Sequence, residues 1–187
     1  RRARRILGED DALTTEVQHN YAAVLMTGGH IAEAEPLFKR VWDQPRRTIG
    51  DDREDTLTSM MLYARAVQLA GRAAECEPIF RDALQRCRRT LPPDHPTTIS
   101  AMEYYAGALK ATGRAAEAEP LLIESLASRR RVLGDNHPDT LTTLANYADT
   151  LYVLGKFAEA EAPSRDAMER HRSVKGPDHA DTITSIN

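Results

Sequence analysis

The sequence predicts an all-α solenoid of stacked helix pairs, and three observations predict it. Landmark residues recur every 42 positions, the apolar residues of each unit keep a helical rhythm, and one glycine per unit splits that rhythm in two. Thr14, Thr56, Thr98, Thr140 and Thr182 share one register, and Tyr21, Tyr63, Tyr105 and Tyr147 another. Gly29, Gly71, Gly113 and Gly155 follow, then Glu33, Glu75, Glu117 and Glu159, then Ala34, Cys76, Ala118 and Ala160. Chance does not hold five columns in step without an insertion. A period of this size marks a repeat array, in which each unit buries its apolar face only against its neighbours.

Each unit reads as two helices. Leu141, Leu144, Ala145, Ala148, Leu151 and Tyr152 mark a first helix over Asp139–Val153, with Asp139 and Thr140 suited to its start and Pro138 tolerated in a first turn. Gly155 permits a tight turn, and a second helix runs roughly over Lys156–Ser173. Ala22, Ala64, Ala106 and Ala148 let the paired helices approach closely, and Leu25, Val67, Leu109 and Leu151 fill the space between them. Pro36, Pro78 and Pro120 fall about six residues into the second helices, implying a local bend or first-turn adjustment; Ala162-Pro163 departs from this and Pro45 is separate. Turn-rich connectors join the units at Gly50-Asp51-Asp52, Pro92–Pro96 and Gly134–Pro138.

The 187 residues make four periods plus 19. The chain reads as a single array over 1–187, with repeats at about 8–49, 50–91, 92–133 and 134–175. Residues 1–7 read as the tail of a preceding second helix, Leu7 sharing a register with Ile49, Leu91 and Leu133, and 176–187 as the start of a fifth repeat. The opening Arg1-Arg2-Ala3-Arg4-Arg5, without an initiator Met, reads as an excised fragment. Ends of this kind expose core-type faces, so a homo-oligomer formed through them is an expected partner state.

Composition narrows the function classes. Hydrophobic residues make up 41% and charged residues 28%, the balance of a folded soluble chain rather than a disordered one. The formal charge of -3 argues against a nucleic-acid partner, and no apolar run approaches the roughly 20 residues of a membrane span. Cys76 and Cys87, eleven residues apart in one helix, are separated by roughly 16 Å. A disulfide spans at most about 7 Å between Cα atoms. A reducing, cytoplasmic setting is the expectation.

The residues that carry the period also carry a resemblance. Arg130-Arg131-Val132-Leu133-Gly134-Asp135-Asn136-His137-Pro138-Asp139-Thr140-Leu141 resembles the linker and helix start of the 42-residue tetratricopeptide repeats of kinesin light chain. Asn146-Tyr147-Ala148, followed by Gly155-Lys156-Phe157-Ala158-Glu159-Ala160-Glu161, resembles their core. The resemblance implies a right-handed superhelical solenoid of antiparallel helix pairs, with first helices lining a concave groove. It also implies a protein-interaction role, and similar repeats form C-terminal sensor regions of receptor-like NTPases.

The groove positions implied by the resemblance are Glu16, His19, Asn20, Ala23, Met26 and Thr27 in the first repeat. Thr58, Met61, Leu62, Arg65, Gln68 and Leu69 occupy them in the second. The third supplies Ser100, Glu103, Tyr104, Gly107, Lys110 and Ala111, and the fourth Thr142, Ala145, Asn146, Asp149, Tyr152 and Val153. Asn20 and Asn146 match the asparagines that hold a peptide backbone in kinesin light chain-like repeats, while Leu62 and Tyr104 do not. Arg65 and Lys110 are the basic candidates, beside Glu16, Glu103 and Asp149. Such a groove suits a peptide with apolar anchors and some charge.

Four other patterns read as architecture. His95, His137 and His179 recur in equivalent connectors on the order of 10 Å apart, too far for one zinc ion with bonds of about 2 Å, so a turn or cap role is expected and no metal or cofactor. The pairs Glu33/Glu35, Glu75/Glu77, Glu117/Glu119 and Glu159/Glu161 recur in every unit, whereas a catalytic site is normally unique, so no catalysis is expected. Cys76 stands in an alanine column and reads as buried; Cys87 shares a register with Pro45, Arg129 and His171 and reads as exposed. Arginines at Arg46-Arg47, Arg86, Arg88-Arg89 and Arg129–Arg131 cluster at second-helix ends, where they complement the dipole and read as a solvated face. The leading reading is a non-enzymatic module that binds a peptide or protein segment in the groove. The alternative is a structural or self-assembly segment, or the sensor region of a larger receptor-like NTPase.

Overall fold

The computed structural model describes residues 12–48 and 52–175, with side chains over 16–43 and 52–173. The expected tail at 1–7, the fifth-repeat start at 176–187 and His179 lie outside the described residues, as do the side chains of Pro45, Arg46 and Arg47. The described residues form helices α1 (Ala12–Thr27), α2 (Ile31–Thr48), α3 (Glu54–Leu69), α4 (Ala73–Thr90), α5 (Pro96–Ala111), α6 (Ala115–Leu133), α7 (Pro138–Val153) and α8 (Phe157–Lys175), with no strand among them. They group into two compact units that divide between Leu91 and Pro92. In the first, α1 packs on α2, α2 on α3 and α3 on α4; in the second, α5–α8 pack in the same succession.

The turn inside each pair follows from one glycine. Gly29, Gly71, Gly113 and Gly155 have φ between 74° and 80°, the left-handed region that a side chain disfavours. Each glycine N–H donates to the carbonyl three residues back, and the next N–H donates five residues back, as in Arg72 N to Val67 O at 3.2 Å and Lys156 N to Leu151 O at 2.9 Å. This double closure occupies carbonyls that a helix end otherwise leaves open.

The helix start after the connector lies within one residue of the expectation at Asp139 and Thr140. Pro96 and Pro138 open α5 and α7, and the ring Nδ1 of His95 and His137 accepts from the N–H two residues on, at 3.3 Å and 3.1 Å. These two histidines fill the cap role read from their connectors. The helical prolines Pro36, Pro78 and Pro120 are the sixth residues of α2, α4 and α6 and leave those helices continuous. The carbonyl each deprives of a donor, four residues back, belongs to exposed Ala32, Ala74 or Ala116, where solvent access lowers the cost of the lost hydrogen bond.

The core alternates small and large residues. Ala22, Ala34, Phe38 and Ala66 form one buried cluster in the first unit; Ala106, Leu109, Ala118 and Leu122 form its counterpart in the second. Between successive pairs, Trp42 stacks on Tyr63 with centroids 5.4 Å apart, and Leu126 packs in a cluster with Leu144, Ala167 and Tyr147.

Candidate peptide-binding face

In the second unit, α7 separates its two faces cleanly. Thr140, Leu141, Leu144, Ala148 and Leu151 are buried, while Thr142, Asn146, Asp149, Tyr152 and Val153 are exposed at helical spacing. Ala145 is half-buried between them. On α5, Ser100, Glu103, Tyr104, Gly107 and Lys110 are half-buried and Ala111 is exposed. Lys110 Nζ pairs with Asp149 Oδ2, tying the two helices together at this face. Tyr152, 65% exposed, meets the edge of Phe157 with ring centroids 5.2 Å apart.

In the first unit, Glu16, Asn20 and Thr27 of α1 are exposed, and His19, Ala23 and Met26 are half-buried. His19 packs edge-on to Phe38 at 6.1 Å, and the Thr27 hydroxyl donates to the carbonyls of Ala23 and Val24. On α3, Leu69 is exposed, and Thr58, Leu62, Arg65 and Gln68 are half-buried. Arg65 Nη1 donates to Gln68 Oε1 at 2.7 Å. Met61 is only 3% exposed and belongs to the core side of its helix.

Glu103 is engaged inward. Its Oε1 accepts from Ser125 Oγ at 2.8 Å, Thr143 Oγ1 at 2.5 Å and Arg129 Nε at 3.2 Å, and its Oε2 accepts from Arg129 Nη2 at 3.0 Å. Arg129 also reaches Asp139 at 3.2 Å. Ser125 and Thr143 are fully buried, so this network joins α5, α6 and α7 through a shielded carboxylate. The register of Cys87, expected to be exposed, is therefore corrected: Cys87 is fully buried, Arg129 nearly so, and His171 is 4% exposed. In the second unit the reason is visible at Arg129, which α6 turns toward Asp139 at the start of α7. Burial pushes the Cys87 thiol up to about 11 and also raises Cys76.

The repeated charges have specific partners. Arg72 grips Glu75 and also Glu35 of the preceding pair, and Lys156 holds Glu119 in the same way. The hydrogen bonds from Arg72 and Arg114 hold the Glu75 and Glu117 carboxyls below their usual range. Not all the arginines form a merely solvated face. Arg86 and Arg89 hold Asp52, Arg131 with Ser128 holds Asp94, and Arg170 reaches Asn136 at 3.1 Å, so equivalent connectors are clamped to the second helices that follow them. Hydrogen bonds from Arg89 and from Arg131 depress Asp52 and Asp94 respectively. No group of three His, Cys, Asp or Glu placed to hold a metal ion occurs among the described residues.

Sequence reasoning passed over Phe157 and the Glu103 network. The signal for the network was a break in the columns: Glu103 shares its register with His19, Met61 and Ala145, and Arg129 shares its own with Cys87.

Two models of the family described as tetratricopeptide repeat match the chain, one over residues 56–97 and the other over 97–172. No curated protein matches the sequence significantly. Among solved structures, the nearly identical TPR-like repeats of a kinesin light chain-type protein from Podosopora anserina are 24% identical, with a TM-score of 0.79 over 91% of this chain and 81% of that one. BtubC (BKLC) from P. vanneervenii is 17% identical, with a TM-score of 0.81 over 98% and 74%. The apo form of RapI is 10% identical, with a TM-score of 0.73 over 92% and 46%. These likenesses are likenesses of fold: all-α, tetratricopeptide-like, built of antiparallel helix pairs. With tetratricopeptide repeat models matched over most of its helices, the chain belongs to the tetratricopeptide repeat family.

Proposed function

We propose that this chain binds a peptide or protein segment along the outward faces of its first helices, without doing chemistry on it. Repeats of this family generally mediate protein–protein interaction, and such scaffolds are typically non-enzymatic. The observation that carries the proposal is the face of α7, where the exposed Asn146 amide, the Lys110–Asp149 ion pair and the Tyr152–Phe157 ring pair follow one another at three-residue spacing. An amide can donate to and accept from an extended backbone, while an exposed ring supplies an apolar anchor. Glu16, His19, Asn20, Leu62, Arg65 and Leu69 form the corresponding set in the first unit, and Met61 contributes from beneath as packing. Glu103 acts through Arg129 and Thr143 to position α7. Residues 1–187 are read as one array of 42-residue repeats, and the two free cysteines fit a reducing, cytoplasmic setting.

Selection of binders from a random peptide array on the intact chain, followed by titration of a selected peptide, tests the proposal. Asn146→Ala with Tyr104→Ala should weaken that peptide about tenfold or more. Unchanged affinity, with an unchanged far-ultraviolet circular dichroism spectrum, would remove the proposal.

A further inference from the structure

Gly107 stands near the middle of α5, half-buried on the peptide face, at the register of Ala23, Arg65 and Asp149. Glycine weakens a helix interior relative to alanine, so its place here calls for a reason. The backbone supplies none: the glycines with positive φ are Gly29, Gly71, Gly113, Gly134 and Gly155, and Gly107 is not among them. Nor does the contact with α6 supply one, since Ala106 and Leu109 make it in the cluster with Ala118 and Leu122. One period later, α7 carries Asp149 in this register with its side chain exposed.

Two side-chain contacts between α5 and α7 say what faces Gly107. Glu103 accepts from Thr143, 40 residues on, and Lys110 pairs with Asp149, 39 residues on. Gly107 lies between Glu103 and Lys110, and the same offset sets it across from Asn146. The exposed Asn146 amide makes no hydrogen bond among the described residues. The charges on either side are already matched, Glu103 by Arg129 and Lys110 by Asp149. Tyr104, half-buried, stands one turn before Gly107 on the same face. This stretch therefore offers an open amide and a ring, with no unmatched charge and no side chain at its middle.

We propose that Gly107 is the specificity-determining position of the peptide face, admitting one large, uncharged apolar side chain of an extended peptide whose backbone Asn146 holds. This rests on the binding role proposed above. A charged side chain set over Gly107 would give up water and find its counter-charges already taken. An apolar one loses nothing there and packs against the Tyr104 ring. A β-carbon at position 107 would occupy the space that the anchor fills.

The probe is the peptide selected from the random array on the intact chain, together with its alanine-scanned copies. Gly107→Ala should raise the urea midpoint by a few tenths of a molar, roughly, because alanine suits the helix better. The same variant should weaken the selected peptide about tenfold, because the anchor is crowded out. The scan should find one dominant anchor, a leucine, methionine or aromatic residue. Trimming that anchor to alanine should cost the intact chain about tenfold and Gly107→Ala far less, since the two changes act on one contact. Selection repeated on Gly107→Leu should replace the anchor by a small residue. A stable variant that binds worse, rescued by a smaller anchor, is not what a purely structural glycine would give. A lowered midpoint in Gly107→Ala, a charged anchor, or costs that simply add overturns the inference. If Asn146→Ala with Tyr104→Ala weakens the peptide and Gly107→Ala does not, the binding role stands and the role of Gly107 falls. If neither change weakens it, or the array yields no binder, both fall.

Discussion

The Glu103 network offers a sharp test because the same registers hold uncharged residues one period earlier in the sequence. Glu103→Ala leaves three donors without their acceptor: the buried hydroxyls of Ser125 and Thr143, and the Arg129 guanidinium, whose side chain is 12% exposed. Breaking one side of a shielded ion pair costs about 3–5 kcal/mol, because the stranded partner loses its Coulombic compensation but not its desolvation cost. With a urea slope of about 2–3 kcal/mol/M, the midpoint should fall by roughly 1–2 M. At the same registers one period earlier stand Met61, Ala83, Cys87 and Ala101. The quadruple variant Glu103→Met, Ser125→Ala, Arg129→Cys, Thr143→Ala removes charge and partners together. It should lose less than about 1 kcal/mol, or gain stability. The assay is urea unfolding at neutral pH, followed by far-ultraviolet circular dichroism with the slope checked for constancy. A quadruple variant as unstable as Glu103→Ala, or worse, would refute the reasoning that stranded partners rather than lost contacts set the cost.

Other expectations follow from the caps, the clamps and the thiols. His137→Ala should cost about 0.5–2 kcal/mol in the same unfolding assay, and His137→Asn should recover most of it, because the amide oxygen can accept the Asp139 N–H. Asp52, Glu75, Asp94 and Glu117 are all depressed in the folded chain. Their stabilisation is therefore fully present above the ordinary carboxylate range and lost as pH falls through the folded values. Unfolding midpoints should stay flat from about pH 5 to 7 and drop below about pH 4, with a shallower drop in Asp94→Asn. Cys76 and Cys87, both fully buried and with raised thiol pKa, should react with a thiol reagent only as fast as the chain opens, and rapidly in urea.

Much of the architecture was legible in the residues because a repeat reports its own geometry several times over. The glycine at the turn, the small residue at the close approach and the capping histidine recur at fixed intervals, and each has a local physical reason. The helix start near Asp139 and Thr140 was legible too: Pro138 stands in the first turn, and the ring nitrogen of His137 reaches the open Asp139 N–H. The candidate site was legible as a stripe on the first helices, while the engagement of each member was not. Glu103 and Lys110 look equally available in sequence, but one is held by buried hydroxyls and an arginine while the other bridges to Asp149 at an exposed face.

By itself, the sequence determined the period, the helix pairs, the turn glycines and the family, since these depend on spacing along the chain and on local backbone chemistry. Only the tertiary structure decided that Cys87 is buried and that Arg129 shields Glu103. Those outcomes depend on how one helix crosses the next. The crossing is set by the sizes of side chains that meet across a repeat junction, residues about 28 apart in sequence in the Phe38–Ala66 contact.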